Sequence, residues 1–201
     1  MSWPDTFSQY EEDLAIAECF KGRDKPGRFL DIGAWDPKTF SNTRALYELG
    51  WSGVMIEPSP TPMLSLLKEY GKEPRITLVQ AAVAPTETIV AFEMSDDSVS
   101  TSDPAGYTKW KDQTHFHGKV FVRTITWDQI CLWYGGFDFV NIDAEGTSVD
   151  LFHEMLKSGA RPQCVCVEFD NRLPELTQAA TQQGVGYKVI YSNGTNAVFA
   201  R

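Results

Sequence analysis

Acidic side chains follow four short apolar segments of this chain, and each acid stands where its segment ends. Asp31 and Gly33 close the first segment, Glu57 the second, Asp143 a later one and Glu168 the last. If these segments are parallel strands, their carboxyl ends meet at one edge of a sheet, where open α/β sheets bind ligands. Carboxylates gathered there can accept hydrogen bonds from hydroxyl groups or remove a proton from a bound molecule.

The first of these sites reads Asp-Ile-Gly-Ala over positions 31–34. A glycine there lets the backbone approach a ligand closely, because no Cβ stands in the way. The residues Ala-Trp-Asp-Pro that follow the glycine break the G-x-G-x-x-G pattern that holds a pyrophosphate, which argues against NAD and FAD. An ordinary turn between a strand and a loop would give the same short motif.

Glu57 stands 26 residues after Asp31. An acid at this place accepts hydrogen bonds from both ribose hydroxyls of a nucleoside, and the usual spacing is roughly 20 residues. A ribose-binding acid without a phosphate loop indicates a nucleoside ligand that carries no phosphates, and S-adenosylmethionine is the common cofactor of that kind. The alternative is a solvated acid in front of Pro58.

Two later sites could carry the chemistry. The segment 141–146, Asn-Ile-Asp-Ala-Glu-Gly, places Asp143 and Glu145 where they can orient or deprotonate an acceptor. Either acid can instead cap the helix that follows. Glu168 and the Asp-Asn pair at 170–171 could join Asp143 as oxygen ligands of a divalent cation. A structural carboxylate explains the same residues, so no metal site is predicted and a divalent metal stays an alternative.

Two histidines, His115 and His117, lie in a polar stretch over 95–118 that we expect to be an irregular loop. A loop this long is usually functional or mobile, and we expect it to shape a substrate site. His115 is a candidate general base, although an exposed histidine is more often simply solvated. No Ser-His-Asp order or zinc spacing accompanies it. The four cysteines show no Cys-x-x-Cys spacing and indicate reduced thiols.

The elements that must position these residues alternate between strands and helices. Apolar periodicity, caps and breakers predict helices over 8–21 (with Ser8 as the cap), 39–49, 61–70, 126–134, 148–157 and 174–183. They predict strands over 28–33, 53–57, 76–83, 88–94, 120–125, 137–142 and 163–169, and a hairpin over 186–191 and 195–200. This order predicts a Rossmann-like α/β fold with about seven mostly parallel strands, an antiparallel C-terminal hairpin and helices on both faces.

Size and charge limit the function further. The 201 residues suit a single domain, with a helical segment at 1–27 in front of it. The net charge of -9 makes a nucleic acid an unexpected partner, because phosphate binding needs clustered Lys and Arg. No apolar stretch approaches the roughly 20 residues of a membrane span, and no secretory signal is visible, so we expect a cytoplasmic protein without membrane contact. The oligomeric state stays open.

Several blocks together resemble the FkbM-type methyltransferases. The first is Ser-Gln-Tyr-Glu-Glu-Asp at 8–13, followed by Phe-Leu-Asp-Ile-Gly-Ala-Trp-Asp at 29–36 and Thr-Phe-Ser-Asn-Thr at 39–43. Further blocks are Gly-Trp-Ser-Gly-Val-Met-Ile-Glu-Pro at 50–58, the segment 137–146, Arg-Pro at 161–162 and Asn-Ala at 196–197. The match runs over about 7–200, and the order and spacing of the blocks make it specific. A departure is Asn141, where members commonly carry Lys.

The resemblance implies a class I, S-adenosylmethionine-dependent methyltransferase that methylates a hydroxyl, often on a sugar or a natural-product-like small molecule. Asp143 is then the first candidate for the base, and Glu168, Glu145 and His115 are the other candidates. Ala82 is an alternative to Ala81 beside the adenine. The residues expected to hold the cofactor are Gln9, Asp31, Gly33, Ala34, Asn42, Glu57, Pro58, Ala81 and Asp143.

Three other functions stay open at this point. The chain could be a methyltransferase-like binding module without catalysis. It could also be a nucleotide-dependent oxidoreductase or sugar-modifying enzyme on the same fold, which the missing glycines disfavour. A third alternative is a metal-dependent O-methyltransferase resembling the catechol type.

Overall fold

A computed structural model of the chain describes residues 3, 5–95, 97–182 and 184–201. Met1, Ser2, Pro4, Asp96 and Gln183, which fall within the predicted segments 1–27, 95–118 and 174–183, lie outside the described residues. No described helix is long and apolar enough to cross a bilayer.

Seven helices and ten strands occur in the part of the chain that the model describes. The helices are α1 (Glu12–Cys19), α2 (Arg44–Glu48), α3 (Pro60–Tyr70), α4 (Pro104–Trp110), α5 (Trp127–Tyr134), α6 (Ser148–Lys157) and α7 (Leu173–Thr181). The strands are β1 (Arg28–Ile32), β2 (Ser52–Ile56), β3 (Ile76–Val79), β4 (Ala82–Val83), β5 (Ile89–Ser95), β6 (Phe116–Ile125), β7 (Phe139–Ile142), β8 (Cys164–Glu168), β9 (Lys188–Ser192) and β10 (Asn196–Ala200).

The main sheet has seven strands in the order β3-β2-β1-β7-β8-β10-β9. The first five run parallel, and β10 is antiparallel to both β8 and β9. The predicted α/β architecture, with its C-terminal antiparallel hairpin, is therefore confirmed. The strand order reverses between β1 and β7, so the carboxyl ends of these two strands flank the switch point where such sheets bind ligands.

Helices cover both faces of this sheet, as predicted. Leu30 and Ile32 on β1 pack in a core that includes residues of α5, α6 and α7. Phe29, which precedes Leu30, points to the opposite core, which includes residues of α1, α2 and α3. Burial on both faces explains why the central strands are mostly apolar and show no regular alternation with polar residues.

A second, three-stranded sheet has the order β4-β6-β5. The prediction of a single strand over 76–83 is wrong, because the chain leaves the main sheet after Val79. Ala82 and Val83 pair with Thr124 and Ile125 of β6. The apolar run is continuous in sequence, and only its distant pairing partner divides it.

The prediction that 95–118 is wholly irregular is also wrong. Asp103 caps α4, since its carboxylate accepts hydrogen bonds from the backbone N–H groups of Ala105 and Gly106 at 3.2 and 2.9 Å. Pro104 occupies the first turn, where a missing N–H costs nothing. Strand β6 begins at Phe116, four residues before its predicted start.

Two helices begin later than predicted, because the backbone in front of them is not helical. The φ angle of Glu11 is 66° and that of Phe40 is 59°, so α1 starts at residue 12 and α2 at residue 44. Ser8 is not the N-cap residue of α1, which is Glu11, but its hydroxyl accepts from the N–H of Asp13 in the first turn at 3.3 Å and donates to the carboxylate of Asp13 at 2.8 Å. The other predicted bounds agree with the structure within two residues.

Candidate active site

A cavity of about 390 Å³ opens at the carboxyl ends of the parallel strands. The ends of β1, β2, β7 and β8 border it, together with the start of β10. Residues 9–10, before α1, and 98–102, before α4, complete its wall. This volume lies in the range of small-molecule sites.

The structure brings all but one of the sequence-predicted site residues to this cavity. The exception is His115, which is exposed and is not part of the wall. The predicted residues that line the cavity are Gln9, Asp31, Gly33, Ala34, Asn42, Glu57, Pro58, Ala81, Asp143, Glu145 and Glu168.

Gly33, which follows β1, packs closely against the backbone that follows β7. Its φ angle is 82°, and a Cβ at this position would overlap the backbone carbonyl oxygen of Asp143. The N–H of Asp143 donates to the carbonyl oxygen of Ile32 at 2.9 Å. The glycine is therefore required by the protein's own backbone, in addition to any ligand, and it keeps Asp143 against the end of β1.

Asp31 is buried and has a protein donor on each oxygen. The Thr43 hydroxyl donates to it at 2.6 Å and the Asn141 amide at 2.9 Å. Burial raises the pKa of Asp31, and these two hydrogen bonds oppose the rise. The Asn42 side chain donates in turn to the Oδ1 atom of Asn141 at 3.0 Å. Asp31 thus holds Asn141 and, through it, the amide of Asn42 at the cavity wall.

Glu57 also receives two protein donors, both from the backbone. The N–H of Trp35 donates to its Oε2 at 3.0 Å, and the N–H of Ser59 donates to its Oε1 at 2.7 Å. Burial raises the pKa of Glu57 to about 7. A carboxylate offers about four lone pairs, so Glu57 can still accept hydrogen bonds from two further hydroxyls.

Asp143 and Glu168 are neighbours at the ends of adjacent strands, since Ile142 of β7 pairs with Val167 of β8. Burial raises the pKa of Asp143, and the charges of Glu145 and Asp31 raise it further, while a hydrogen bond with Glu168 lowers it. Burial and then the charge of Asp143 raise the pKa of Glu168 still more strongly. At neutral pH the pair therefore keeps a proton on Glu168, beside a more readily ionised Asp143.

Helix α4 packs onto Glu145. The indole N–H of Trp110 donates to the Oε2 atom of Glu145 at 3.3 Å, and the Thr101 hydroxyl donates to its backbone oxygen at 2.9 Å. Lys109 pairs with Asp170 at 2.8 Å. Glu145 therefore anchors the segment expected to shape the substrate site. No side chain caps α6, so the alternative in which Asp143 or Glu145 caps that helix is wrong.

Among the described residues, no group of three or more His, Cys, Asp and Glu side chains is arranged to hold a metal ion. Tyr10, Lys109 and Trp110 were not predicted as site residues and Asn196 was given no role, although all four line the cavity. The Asp-Pro dipeptide that begins α4 is a sequence signal for the helix that carries two of them.

Comparisons with known proteins agree with this geometry. The family model "Methyltransferase FkbM domain" matches residues 31–184. No curated protein matches the sequence. An FkbM methyltransferase from Methylobacillus flagellatus has a similar structure, with a TM-score of 0.59 and 15% identity over 90% of this chain and 46% of that chain.

Two further solved structures share the fold. The METTL16 methyltransferase domain gives a TM-score of 0.55 at 14% identity, over 94% of this chain and 65% of that chain. The putative methyltransferase yhhF from Escherichia coli gives 0.52 at 12% identity, over 100% and 90%. The chain thus spans less than two thirds of the first two structures. Because the family model covers most of the chain, the chain belongs to the methyltransferase FkbM domain family.

Proposed function

We propose that this chain transfers a methyl group from S-adenosylmethionine to a hydroxyl of a small molecule, such as a sugar or a natural product. One observation carries the proposal: the buried acids Glu57 and Glu168 and the half-buried Asp143 line the same cavity at the carboxyl edge of the sheet. The family supports methyl transfer, and the acids support a hydroxyl as the acceptor.

The residues on the β1–β2 side fit an adenosyl group. Glu57 has lone pairs to spare for the two ribose hydroxyls, and Ala81, which leaves room for a ring, lines the cavity beyond it. The Oδ1 atom of Asn42 is buried and has no donor among the described residues, so it can accept a hydrogen bond from the amino group of the cofactor. When bound, the cofactor supplies a methyl group on a sulfonium, which is an electrophile.

Asp143 supplies the base in this proposal. A carboxylate with a raised pKa is a better proton acceptor near neutral pH than an ordinary aspartate, because the ideal pKa of a base lies near the working pH. Asp143 orients the acceptor hydroxyl and takes its proton as the oxygen gains the methyl group. Glu168 keeps its own proton and donates a hydrogen bond that stabilises the ionised Asp143. Holding the two reactants in line provides most of the remaining rate.

Calorimetry with S-adenosylhomocysteine tests the cofactor half of this proposal. We expect the wild-type chain to bind it, and we expect Glu57→Gln to weaken binding by about tenfold or more, because a hydrogen bond to a charged group contributes about 1.5–3 kcal/mol. The matched control is Glu18→Gln, which changes an exposed glutamate paired with Lys21. Absence of binding at millimolar concentration would overturn the proposal.

A mass-labelled methyl donor tests the transfer. The chain is incubated with S-adenosyl-[methyl-d3]methionine and a panel of hydroxyl compounds, and product masses are compared with those from the Asp143→Asn variant. A labelled product that only the wild type forms is expected. Cofactor binding without any product would favour the non-catalytic binding module, and loss of product on chelation with rescue by magnesium would favour the metal-dependent enzyme.

The four cysteines are free thiols, which suits the cytoplasmic location that we propose.

A further inference from the structure

Three buried side-chain oxygens on the cavity wall have no hydrogen-bond donor in the described part of the chain. They are Oδ1 of Asn42, Oε2 of Glu168 and Oδ1 of Asn196. Leaving a buried acceptor unpaired costs about 1–3 kcal/mol, so native structures rarely do it without a reason. The two amide oxygens can only accept hydrogen bonds, and Glu168, whose one proton is donated to Asp143, can only accept further ones, which points to a ligand that brings hydrogen-bond donors.

Two of these acceptors lie side by side. Asn196 of β10 pairs directly with Glu168 of β8 in the antiparallel ladder. Side chains in such a pair have Cβ atoms about 4.5–5.5 Å apart. The side chains are also deeply buried, since Asn196 is 5% exposed and Glu168 is 7% exposed. A single ligand group, or two neighbouring hydroxyls of one ligand, can therefore reach both oxygens.

Glu12 determines which way the Asn196 amide points. Glu12 is fully buried, and its Oε1 atom accepts from the amide nitrogens of Asn196 and Asn193, each at 2.8 Å. Its Oε2 atom accepts from the N–H of Tyr10 at 2.9 Å. Turning the Asn196 amide over would place its oxygen against the carboxylate and lose a charge-assisted hydrogen bond. Glu12 thus keeps the nitrogen on its own side and leaves Oδ1 for a ligand.

The sheet order indicates which ligand this is. Glu168 ends β8 and Asn196 begins β10, three and four strands away from β2, which Glu57 follows. Neighbouring strands lie about 4.8 Å apart, so these distances across the sheet are about 14 and 19 Å. A ribose at Glu57 is therefore remote from Asn196, and Asp143, at the end of β7, lies between them. The unpaired oxygens of Glu168 and Asn196 therefore lie on the side of the cavity that would hold the molecule to be methylated.

We propose that Asn196 and Glu168 form a subsite that binds a hydrogen-bond-donating group next to the hydroxyl that is methylated, and that Glu12 is the residue that positions Asn196. The methyl acceptor then carries at least two donors on neighbouring carbons. This inference rests on the proposed function for the identity of the ligand, whereas the subsite itself can be tested without methyl transfer.

The test uses a pair of probes with the same skeleton, cyclohexane-1,2-diol and 1,2-dimethoxycyclohexane, of which only the first has donors. Binding to the S-adenosylhomocysteine-saturated protein is followed by the NMR shift of the Trp110 indole N–H, which is present in every variant. The diol is expected to bind and to shift the Asn196 side-chain amide signal as well, and the diether is not. Equal binding of the two probes would overturn the subsite.

Variants then assign the contact to Asn196. Asn196→Ala is expected to weaken diol binding by about five- to tenfold, the value of one hydrogen bond. Glu12→Gln is expected to have a similar effect, because the new amide can donate to Asn196 Oδ1 and compete with the ligand. The matched control is Glu11→Gln, at the exposed neighbouring position. Unchanged diol binding in both Asn196→Ala and Glu12→Gln would overturn the proposal.

Two measurements keep the outcomes separate. Binding of S-adenosylhomocysteine by each variant shows that its fold and cofactor side are intact, and if Asn196→Ala does not fold, Glu12→Gln decides. If the wild type fails to bind S-adenosylhomocysteine, the proposed function is wrong. The subsite can then still be tested by comparing binding of the two probes to the protein without S-adenosylhomocysteine.

Discussion

The two sides of the cavity treat their buried acids differently. On the side of β1 and β2, Asp31 and Glu57 each accept two hydrogen bonds from the protein. On the side of β8 and β10, Oε2 of Glu168 and Oδ1 of Asn196 accept none from the described residues. The two acids of the first side are held by protein donors before a ligand arrives, although Oδ1 of Asn42 there is unpaired, whereas the side chains of the second side depend on a ligand for hydrogen-bond donors.

This difference suits two different tasks. A carboxylate that only has to grip a ribose works best when fixed donors hold it in place, as backbone N–H groups hold Glu57. A carboxylate that has to take a proton works best when its surroundings oppose its charge, as burial and Glu145 do at Asp143. Burial also raises the pKa of Glu57, so the hydrogen-bond partners, and not the pKa, distinguish the two sides. If Glu57 holds the ribose and Asp143 takes the proton, as we propose, binding and proton transfer are divided between opposite halves of one sheet edge.

The strongest way to break this comparison is to replace the base. Asp143→Asn removes the proton acceptor with almost no change in shape, so kcat for the acceptor found in the mass-labelled screen should fall by about 10²- to 10⁴-fold. Binding of S-adenosylhomocysteine should change far less. Asp24→Asn, at an exposed position, is the matched control. A variant that keeps its kcat would show that Asp143 is not the base.

The next test asks whether ionisation of the buried Glu57 destabilises the folded protein. Its folded-state pKa is raised to about 7, so its contribution to stability is present at acid pH and is lost as pH rises from about 4.5 towards 7. The shift corresponds to about 3 kcal/mol. In urea unfolding, the free energy of unfolding of the wild type minus that of Glu57→Gln should therefore fall by about 3 kcal/mol between pH ~4.5 and pH ~8. With Glu18→Gln the difference from wild type should stay constant, and a constant difference with Glu57→Gln would contradict the raised pKa.

The sheet and the β1–β2 side of the cavity were predictable from the sequence because their sequence signals are local. Apolar runs of strand length ending in Asp-Ile-Gly or in Glu-Pro identify β1 and β2, and with them Asp31, Gly33 and Glu57. Helix α6 was predicted to the residue, since Gly159 ends it. Strand β4 was missed because its pairing with β6, about forty positions away, and not its composition, separates it from β3.

The β8–β10 side of the cavity was harder to predict because its contacts join distant parts of the chain. The hydrogen bond between Asn196 and Glu12 spans 184 positions, and the local sequence at neither residue indicates this contact. His115 was a reasonable candidate by residue type, yet it is exposed just before β6 and is not part of the cavity wall. Residue type identifies candidates for proton transfer, whereas three-dimensional packing decides which of them meet the ligand.

A smaller effect is expected from the two ways of changing Glu168. The hydrogen bond from Glu168 lowers the pKa of Asp143, so Glu168→Ala should move the acid limb of the pH–kcat profile upward by about one unit, the equivalent of about 1.4 kcal/mol. Glu168→Gln keeps a donor and resembles the protonated acid, so its limb should stay in place. A limb that moves downward in both variants would show that Glu168 is ionised and that its charge, and not its hydrogen bond, acts on Asp143.

The smallest effect concerns helix α4 as part of the acceptor side. Trp110→Phe keeps an aromatic ring but removes the donor to Glu145, whose pKa burial already raises. Losing one hydrogen bond of about 0.5–1.5 kcal/mol should lower kcat/KM by about two- to tenfold, mostly through KM for the acceptor. Trp133→Phe, on the exposed face of α5 and outside the cavity wall, is the control. Because the loss should spare S-adenosylhomocysteine affinity, a variant that weakens cofactor binding as much as acceptor binding would show that α4 serves both sides, and the division between the two halves of the cavity would no longer hold.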